Sequence, residues 1–396
     1  MTQRCPVRKL VPAEREDGPA LERIERNGET TWVIRSFELA RQLLRQPDST
    51  RQAGFGADQI FQPSKGMRPP ILYLEGEQHR LQRRASARFF APAVVEGYRP
   101  MMEELADRLV GRLRADKPLD LSTLSMPMAV QVAARVIGLT NSSMAGMSRR
   151  LGAFFDGDPL ATGRSPAALF RAAQVGTRTV RFYYLDVKPA IRARRRVRRD
   201  DLISQLIDLG FTDLELLTEC VTYAAAGMAT TRELIMLAAW HLLDDTALLA
   251  HYRAADVQAR RSLLEELLRV EPVVGYLRRR TGRPVTLDGP DGPVTIEART
   301  AIDVRLRQVN ADPDIVGDDA TTICPGRTLP RSVPPVVMSF GDGHHRCPGG
   351  PLAIMETEIF LSRLFTRDLV ADGPPRVRWN RVSQGYDLDR FMIRLA

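Results

Sequence analysis

The sequence lacks several features that mark special classes of protein. Aromatic residues make up only 6% of its 396 residues, and no run reaches the roughly 18 apolar residues that a membrane-spanning helix needs. Residues 1–10 are polar and lack the apolar stretch of a secretory signal. We therefore expect no membrane segment and no export of the protein.

Cysteine is scarce and scattered, at Cys5, Cys220, Cys324 and Cys347, with no Cys-x-x-Cys pair. This spacing argues against a disulfide framework and favours a reducing compartment, so we expect a cytoplasmic protein. The chain is 44% hydrophobic and 27% charged, which is typical of a globular protein that holds a core without cross-links.

Lysine is almost absent, because 53 of the 57 basic residues are arginine, and the net charge is +9. A basic surface suits either nucleic acid or an acidic protein partner. The densest basic run, residues 192–199, reads RARRRVRR and has no interleaved aromatic residues on which bases could stack. We therefore predict a solvated linker there, and no nucleic-acid partner.

The pattern that is present is mainly helical. Apolar residues recur at three- and four-residue spacing, which predicts helices over residues 37–45, 101–113, 128–137, 202–209 and 351–364. Short strands are predicted over residues 31–34, 285–287, 294–296 and 301–304. The expected fold class is mainly α with a small β region, in a single large domain covering residues 1–396.

The longest predicted helix covers residues 214–243, and Thr212 or Asp213 can cap its start. Its apolar residues lie on nearly every side. This pattern is typical of a helix that is buried through the centre of a domain.

The segment with the clearest chemistry is residues 339–353, which read SFGDGHHRCPGGPLA. Its glycines have no side chains, so the backbone of the loop can approach a flat or large group. Cys347 stands just before a predicted helix, whose free N–H groups and dipole stabilise a thiolate. Three interpretations follow: a zinc site of His344, His345 and Cys347, a structural turn with an inert cysteine, or a haem site with Cys347 as axial thiolate. The zinc site lacks a fourth ligand, and adjacent histidines are expected to point apart.

The run Phe340-Gly341-x-Gly343-x-His345-x-Cys347-x-Gly349-x-x-Leu352-Ala353 resembles the haem-binding signature of the cytochrome P-450 family. The resemblance is to the soluble bacterial branch and extends over residues 75–353. It implies the cytochrome P-450 fold and a haem b cofactor with Cys347 as the iron ligand. It also implies that Phe340 packs near the sulfur and that Gly349 belongs to the cofactor-binding loop.

Further segments resemble the family in the same order. Glu266-x-x-Arg269 places two opposite charges on one helix face, and the resemblance implies a buried pair that braces the cysteine loop. Arg327 is the expected third member, with Arg331 as the alternative. The turn Asn310-Ala311-Asp312-Pro313 resembles a family turn with a structural role.

The propionate-binding residues implied by the resemblance are basic. His79 and Arg83 lie four residues apart on one helical face and resemble the family's His-x-x-x-Arg motif. His345 and Arg279, the latter favoured over Arg278, complete this predicted set.

Residues 223–233, YAAAGMATTRE, resemble the family's oxygen-activating segment, in which Ala226, Gly227 and Thr230 match. The Thr230 hydroxyl can donate to the Ala226 carbonyl and open a groove for dioxygen. Ala229 stands where the family has an acid that helps to carry protons. The resemblance therefore implies either hydroxylation or an atypical oxidation such as coupling or ring formation.

The implied function is oxidation of a small organic molecule, such as a bacterial secondary metabolite, by a monomeric enzyme. Electrons are expected from NAD(P)H through a reductase and an iron–sulfur ferredoxin, which a basic patch at Arg84, Arg88 and Arg346 would attract. The alternative is a non-catalytic haem-binding or gas-sensing protein. By resemblance, the substrate pocket is lined by residues 59–72, 154–184, 273–274 and 384–386.

Overall fold

The structure is a computed structural model that describes residues 9, 18–26, 28–46, 48–55, 57, 68–155 and 166–396. Most of these residues are helical. The α-helices are α1 (Phe37–Arg45), α2 (Gly76–Ala87), α3 (Pro92–Gly97), α4 (Arg99–Val110), α5 (Ser122–Ile137), α6 (Met144–Phe155), α7 (Pro166–Phe182), α8 (Lys188–Arg196), α9 (Leu202–Asp208), α10 (Asp213–Ala224), α11 (Thr230–Asp244), α12 (Thr246–Ala254), α13 (Val257–Val270), α14 (Leu306–Val309), α15 (Pro313–Val316) and α16 (Gly350–Leu364).

The strands are short and form four small sheets. They are β1 (Leu21–Arg26), β2 (Glu29–Ile34), β3 (Thr50–Gln52), β4 (Leu119–Asp120), β5 (Tyr276–Thr281), β6 (Val285–Gly289), β7 (Gly292–Ile296), β8 (Ala301–Arg305), β9 (Leu369–Ala371), β10 (Arg376–Asn380), β11 (Gly385–Asp389) and β12 (Met392–Leu395). The largest sheet has the order β1-β2-β8-β5-β3, and its β2–β8 pair is parallel. This arrangement confirms the predicted fold class, mainly α with a small β region.

The hydrophobic core has two parts. The larger part surrounds α10 and α11 and includes apolar residues of α4, α5, α13 and α16. The smaller part lies between α1 and the strands of the largest sheet. Helix α16, which follows the cysteine loop, contacts both α4 and α13, so the predicted site lies against the larger core.

The central helix consists of α10, a π-helical turn (Ala225–Ala229) and α11. Thr212 caps its start, because the Thr212 hydroxyl accepts from the Glu215 N–H and the Glu215 carboxylate accepts from the Thr212 N–H. The helix is buried along much of its length, yet Ala226 in the π-helical turn is exposed. The middle of this otherwise buried helix is therefore open on one side.

The predicted solvated linker at residues 192–199 is wrong for its first part, because α8 continues to Arg196. Arg194 is buried, donating to the Asp201 carboxylate at 2.5 Å and to the Gly138 carbonyl at 2.9 Å. Asp201 in turn caps α9 through the Ser204 N–H. Arg194 is therefore a structural residue that ties three helices together, which the run of arginines in the sequence conceals.

None of the helices within the described residues is both long enough and apolar enough to cross a membrane.

Candidate functional site

The cysteine loop, residues 339–349, leads directly into α16 and is shaped by close backbone contacts. The Cys347 N–H donates to the Phe340 carbonyl at 2.8 Å, which closes the loop on itself. Gly343 has a φ of +66°, and a Cβ atom there would lie 1.9 Å from the Leu44 carbonyl oxygen. A side chain at this position would therefore push the loop away from α1.

The thiol of Cys347 is set among backbone donors. Burial raises the pKa of the Cys347 thiol, whereas the N–H groups of Gly349 and Gly350 and the charge of Arg83 lower it. The residue nevertheless keeps accessible surface. A thiol that is surrounded by protein and still accessible faces an internal space. Because burial favours the neutral thiol, a bound cation is what would hold this sulfur as thiolate.

The aromatic ring of Phe340 packs against the start of α16. A Cβ atom on Gly350 would lie 2.9 Å from the Phe340 ring, so only glycine allows this contact. Gly349 lies beside the sulfur, because a Cβ atom there would be 4.0 Å from the Cys347 Sγ atom. The structure thus places Phe340 and Gly349 in the immediate surroundings of Cys347.

Three charged side chains form a buried ion-pair cluster: Glu266, Arg269 and Arg327. Arg269 donates to both carboxylate oxygens of Glu266, at 2.7 and 2.8 Å. Arg327 donates to the same carboxylate at 3.0 Å. The structure therefore brings together the three residues predicted for this cluster, with Arg327 rather than Arg331 in the third position.

The ion-pair cluster is linked by hydrogen bonds to the segment before Cys347. Arg269 donates to the carbonyls of Asn310 and Ala320, each at 2.8 Å. The Asn310 side chain donates to the Ser339 hydroxyl at 2.7 Å and accepts from the Met338 N–H at 2.9 Å. The predicted structural turn at Asn310 thus joins α13 to the first residue of the cysteine loop.

The four predicted propionate-binding residues gather in one basic cluster: His79, Arg83, Arg279 and His345. The rings of His79 and His345 lie 4.2 Å apart between centroids. Arg83 donates to the carbonyl of Arg346, beside Cys347. Arg279 is buried and donates to the side chain of Gln52 on the neighbouring strand. Arg278, by contrast, pairs with Asp303 at 2.7 Å.

One carboxylate, Glu75, lies among these basic groups. Burial acts to raise the pKa of Glu75, but hydrogen bonds with His344 at 3.2 Å and His345 at 3.1 Å hold it at about 2. Burial, followed by the charges of His345 and Arg83, lowers the pKa of His79 to about 3. His79 is therefore neutral near pH 7 and Glu75 is ionised, so the positive charge that suits an anionic ligand comes from Arg83 and Arg279.

The expectation that adjacent histidines point apart is wrong. Residues Gly343–His345 form a tight helical turn, and the rings of His344 and His345 lie 4.7 Å apart. Within the described part of the chain, potential metal ligands group as Glu75, His344 and His345, without Cys347. The predicted zinc set of His344, His345 and Cys347 is therefore not formed. Sequence reasoning missed Glu75, whose only signal is its place four residues before His79.

The predicted hydrogen bond in the oxygen-activating segment is present. The Thr230 hydroxyl donates to the Ala226 carbonyl at 2.5 Å. The intervening turn, which includes Gly227 and Ala229, is π-helical, a widening that often occurs at functional sites. Tyr223, one turn earlier, and Cys347 both act electrostatically on Arg83. Arg83 thus lies between the central helix and the cysteine loop.

Comparison with known proteins decides the family. The family model for Cytochrome P-450 matches residues 168–368, just over half of the chain. The chain belongs to the cytochrome P-450 family.

Two curated relatives of this family cover most of the chain. The mycinamicin VIII C21 methyl hydroxylase of Micromonospora griseorubida is 27% identical, over 93% of this chain and 91% of the relative. The cytochrome P-450 monooxygenase PikC of Streptomyces venezuelae is 28% identical, over 91% and 84%. Among solved structures, cytochrome P-450 MoxA from Nonomuraea recticatena superposes with a TM-score of 0.78 and 21% identity, covering 96% of this chain and 93% of MoxA. This structural likeness shows the shared fold.

Members of the cytochrome P-450 family carry a haem iron, and the residues of this chain fit such a group. A thiol with two N–H donors faces the internal space beside the cysteine loop. The exposed Ala226 leaves one side of the central helix open. The basic cluster offers donors to carboxylates at the edge of that space.

The structure describes part of the predicted substrate pocket and the predicted basic patch. The pocket segments at residues 273–274 and 384–386 come together, since the Gly275 N–H donates to the Ser383 carbonyl at 3.0 Å. Of the remaining predicted pocket residues, 59–67 and 156–165 lie outside the described residues.

The three arginines of the predicted basic patch, Arg84, Arg88 and Arg346, are exposed. Two of them form ion pairs, Arg84 with Glu77 and Arg88 with Asp200.

Proposed function

We propose that this cytochrome P-450 is a monooxygenase that uses haem b, with Cys347 as the axial thiolate, to oxidise a small organic molecule. The observation that carries the proposal is the thiol of Cys347, accessible within a glycine-rich loop and hydrogen-bonded by the N–H groups of Gly349 and Gly350. When bound, haem supplies the redox chemistry that splits dioxygen. Everything else in the site concerns how this chain holds the group and its reactants.

The basic cluster would hold the two haem propionates. His79, Arg83, Arg279 and His345 come from three separate segments, α2, β5 and the cysteine loop. Arginine forks and imidazole N–H groups are suitable donors to carboxylates. Glu75 orients His345 through its hydrogen bond at 3.1 Å.

The cysteine loop would fix the sulfur. The contact between Phe340 and Gly350 and the N–H donors of Gly349 and Gly350 hold Cys347 in one orientation and moderate its electron donation. The ion-pair cluster of Glu266, Arg269 and Arg327 braces this loop from the opposite side through Asn310.

The central helix would form the oxygen-binding side. Ala226 and Gly227 leave room over the cofactor, and Thr230 provides a hydroxyl at the groove. Because Ala229 lacks a carboxyl group, the product can arise either by hydroxylation or by coupling or ring formation, which place weaker demands on proton delivery. The relatives whose names state a reaction include hydroxylases, which supports hydroxylation as the first reaction to assay.

The proposed substrate class is a bacterial secondary metabolite, supported by relatives such as the mycinamicin hydroxylase. We propose electron supply from NAD(P)H through a reductase and an acidic ferredoxin that docks near Arg84, Arg88 and Arg346. The exposure of these arginines supports the docking site. The chain would act as a monomer in the cytoplasm, with residues 1–396 forming one haem-binding domain.

The test is spectroscopic and then catalytic. The purified protein should contain one haem b, and its reduced carbon monoxide complex should show the red-shifted band of thiolate ligation. A panel of natural products should include compounds that shift the haem from low to high spin. One of these should be oxidised when ferredoxin, reductase and NAD(P)H are supplied. A haem-free protein, or haem without thiolate ligation, would overturn the proposal.

A further inference from the structure

The geometry points to Glu233 as the residue that replaces the missing acid at position 229 and passes protons to the oxygen-binding groove through Thr230. This inference rests on the proposed function and deepens it. It makes Glu233 a positioning and proton-supplying residue for the same reaction.

The spacing along α11 puts Glu233 where such a residue is needed. Glu233 follows Ala229 by four residues and Thr230 by three, so the three side chains share one face of the helix. Side chains on a helix lean toward its amino-terminal end. A side chain as long as that of Glu233 can therefore reach back along the turn that carries Ala229 and Thr230.

The carboxyl group of Glu233 is held at the junction of the central helix and β11. It is buried, and its Oε2 atom accepts from the Leu388 N–H at 2.8 Å. Its Oε1 atom contacts the guanidinium of Arg232, which also donates to the Leu388 carbonyl at 2.7 Å. These contacts hold the buried carboxyl between Arg232 and β11.

Charges on two elements face this carboxyl: Arg232 on the helix, and Asp387 and Arg378 on the β10–β11 hairpin. Burial and the charge of Asp387 raise the pKa of Glu233. It is lowered by Arg232, the Leu388 N–H and Arg378, but burial has the largest effect, and the resulting pKa is about 8. Near neutral pH the group therefore exists as both acid and carboxylate. This balance is what a group needs if it both releases and regains protons in each cycle.

The hairpin offers a route back to solvent. Asp387 is half-buried and accepts from the Asn380 side chain at 2.8 Å near the hairpin surface. A proton would leave the Glu233 carboxyl, pass by way of the Thr230 hydroxyl to the dioxygen being reduced, and leave a carboxylate behind. The carboxylate would take a proton from water at the Asp387 end. Each turnover consumes two such protons and two electrons from the ferredoxin, and one oxygen atom leaves as water.

The decisive comparison is Glu233→Gln against Glu219→Gln in the haem-loaded protein. Both residues are buried on the central helix, but Glu219 bonds the Ile71 N–H and the Gln82 side chain and lies eleven residues before Thr230. We expect Glu233→Gln to slow product formation about 10²-fold and to raise peroxide release, because a proton donor is typically worth about that much. Glu219→Gln should leave the ratio of product to NAD(P)H near the wild-type value.

A double variant makes the replacement claim specific. Ala229→Asp restores an acid at the family's position, so the combination of Ala229→Asp with Glu233→Gln should recover product relative to Glu233→Gln alone. If Glu233→Gln does not load haem, Glu233→Asp is compared instead. That variant keeps the acid but shortens its reach by one methylene, and we expect it to lose part of the coupling.

A readout independent of turnover is the pH dependence of unfolding. A folded-state pKa of about 8, against an ordinary 4.5, means that the wild type loses stability as the pH rises from about 4.5 to about 8. Glu233→Gln should remove part of this loss. A normal carbon monoxide spectrum together with unchanged coupling in Glu233→Gln overturns the inference alone, as does a loss of coupling in Glu219→Gln instead. Absence of the thiolate band in the wild type overturns the proposed function.

Discussion

The two sides of the proposed haem site are built in opposite ways. On the cysteine side, the loop is held by hydrogen bonds from α13, Asn310 and the start of α16, and its glycines are in close contact with neighbouring backbone. On the central-helix side, the described contacts within the oxygen-activating segment are sparse, and the helix widens into a π-helical turn. One side is fixed and the other is open.

This difference separates what the fold needs from what the reaction needs. A change on the cysteine side removes a buried partner or forces backbone apart, so it should act through haem binding and stability. A change on the central-helix side touches few partners, so it should act through the fate of oxygen.

Cys347→Ser should abolish the thiolate spectrum of the reduced carbon monoxide complex, because the hydroxyl cannot replace the sulfur as an anionic ligand. Cys220→Ser and Cys324→Ser are the controls and should keep the thiolate band. Spectra of the three purified variants show which cysteine binds the haem iron. A normal thiolate band in Cys347→Ser would show that another residue binds the iron.

Glu266→Ala and Arg269→Ala should give little soluble haem-loaded protein. Glu266→Ala leaves two buried arginines without their carboxylate, and Arg269→Ala removes both of its hydrogen bonds to Glu266; breaking such a buried pair costs about 3–5 kcal/mol. The matched control is Glu104→Ala, which breaks an exposed pair with Arg108 on α4 and should cost about 0.5 kcal/mol or less. Yield, haem content and urea unfolding measure the contrast. Equal stability of the Glu266 and Glu104 variants would contradict the bracing role.

Thr230→Ala should keep haem and fold but lower the ratio of product to NAD(P)H consumed and raise peroxide. Its hydroxyl bonds only the Ala226 carbonyl among the described contacts, so little stability is lost. The loss should exceed any gain from Ala229→Asp, because Glu233 already supplies protons. Unchanged product and peroxide in Thr230→Ala would exclude Thr230 from oxygen activation.

Glu356→Gln tests the effect of a buried carboxyl oxygen that has no hydrogen-bond partner on the cysteine side. Glu356 lies buried on α16, its Oε1 atom has no hydrogen-bond partner within the described residues, and burial raises its pKa to about 8. The wild type should therefore lose stability as the pH rises from about 4.5 to about 8, by at most about 5 kcal/mol. Urea unfolding of Glu356→Gln should show a flatter pH dependence, and identical curves would contradict the assigned pKa.

Local patterns account for most of what could be predicted. Helix α1 has the predicted limits, and the central helix starts at a capping threonine that the sequence displays. The cysteine loop was recognisable because glycine is required where backbone contacts backbone, as at Gly343. For the two helices the physical cause lies within a few residues of the signal, whereas at Gly343 the glycine signals a close contact whose partner, Leu44, is distant in sequence.

Features that depend on distant partners could not be predicted in this way. The π-helical turn has no distinct composition, and the carboxylate of Glu75 meets His345 across 270 residues of sequence. Arg194 looks like its neighbours in an arginine run, yet it alone is placed to meet both Asp201 and Gly138. Long-range packing decided these cases.

The π-helical turn also sets the phase of everything that follows it in the central helix. Residues Ala225–Ala229 complete a wider turn than an α-helix makes, so α11 is offset by about one residue from the direction in which α10 left off. A regular α-helical turn over the same residues would remove the offset and rotate α11 by about 100°. Thr230 and Glu233 would turn away together although neither had been altered. In this helix, the width of a single turn is thus a determinant of chemistry in its own right.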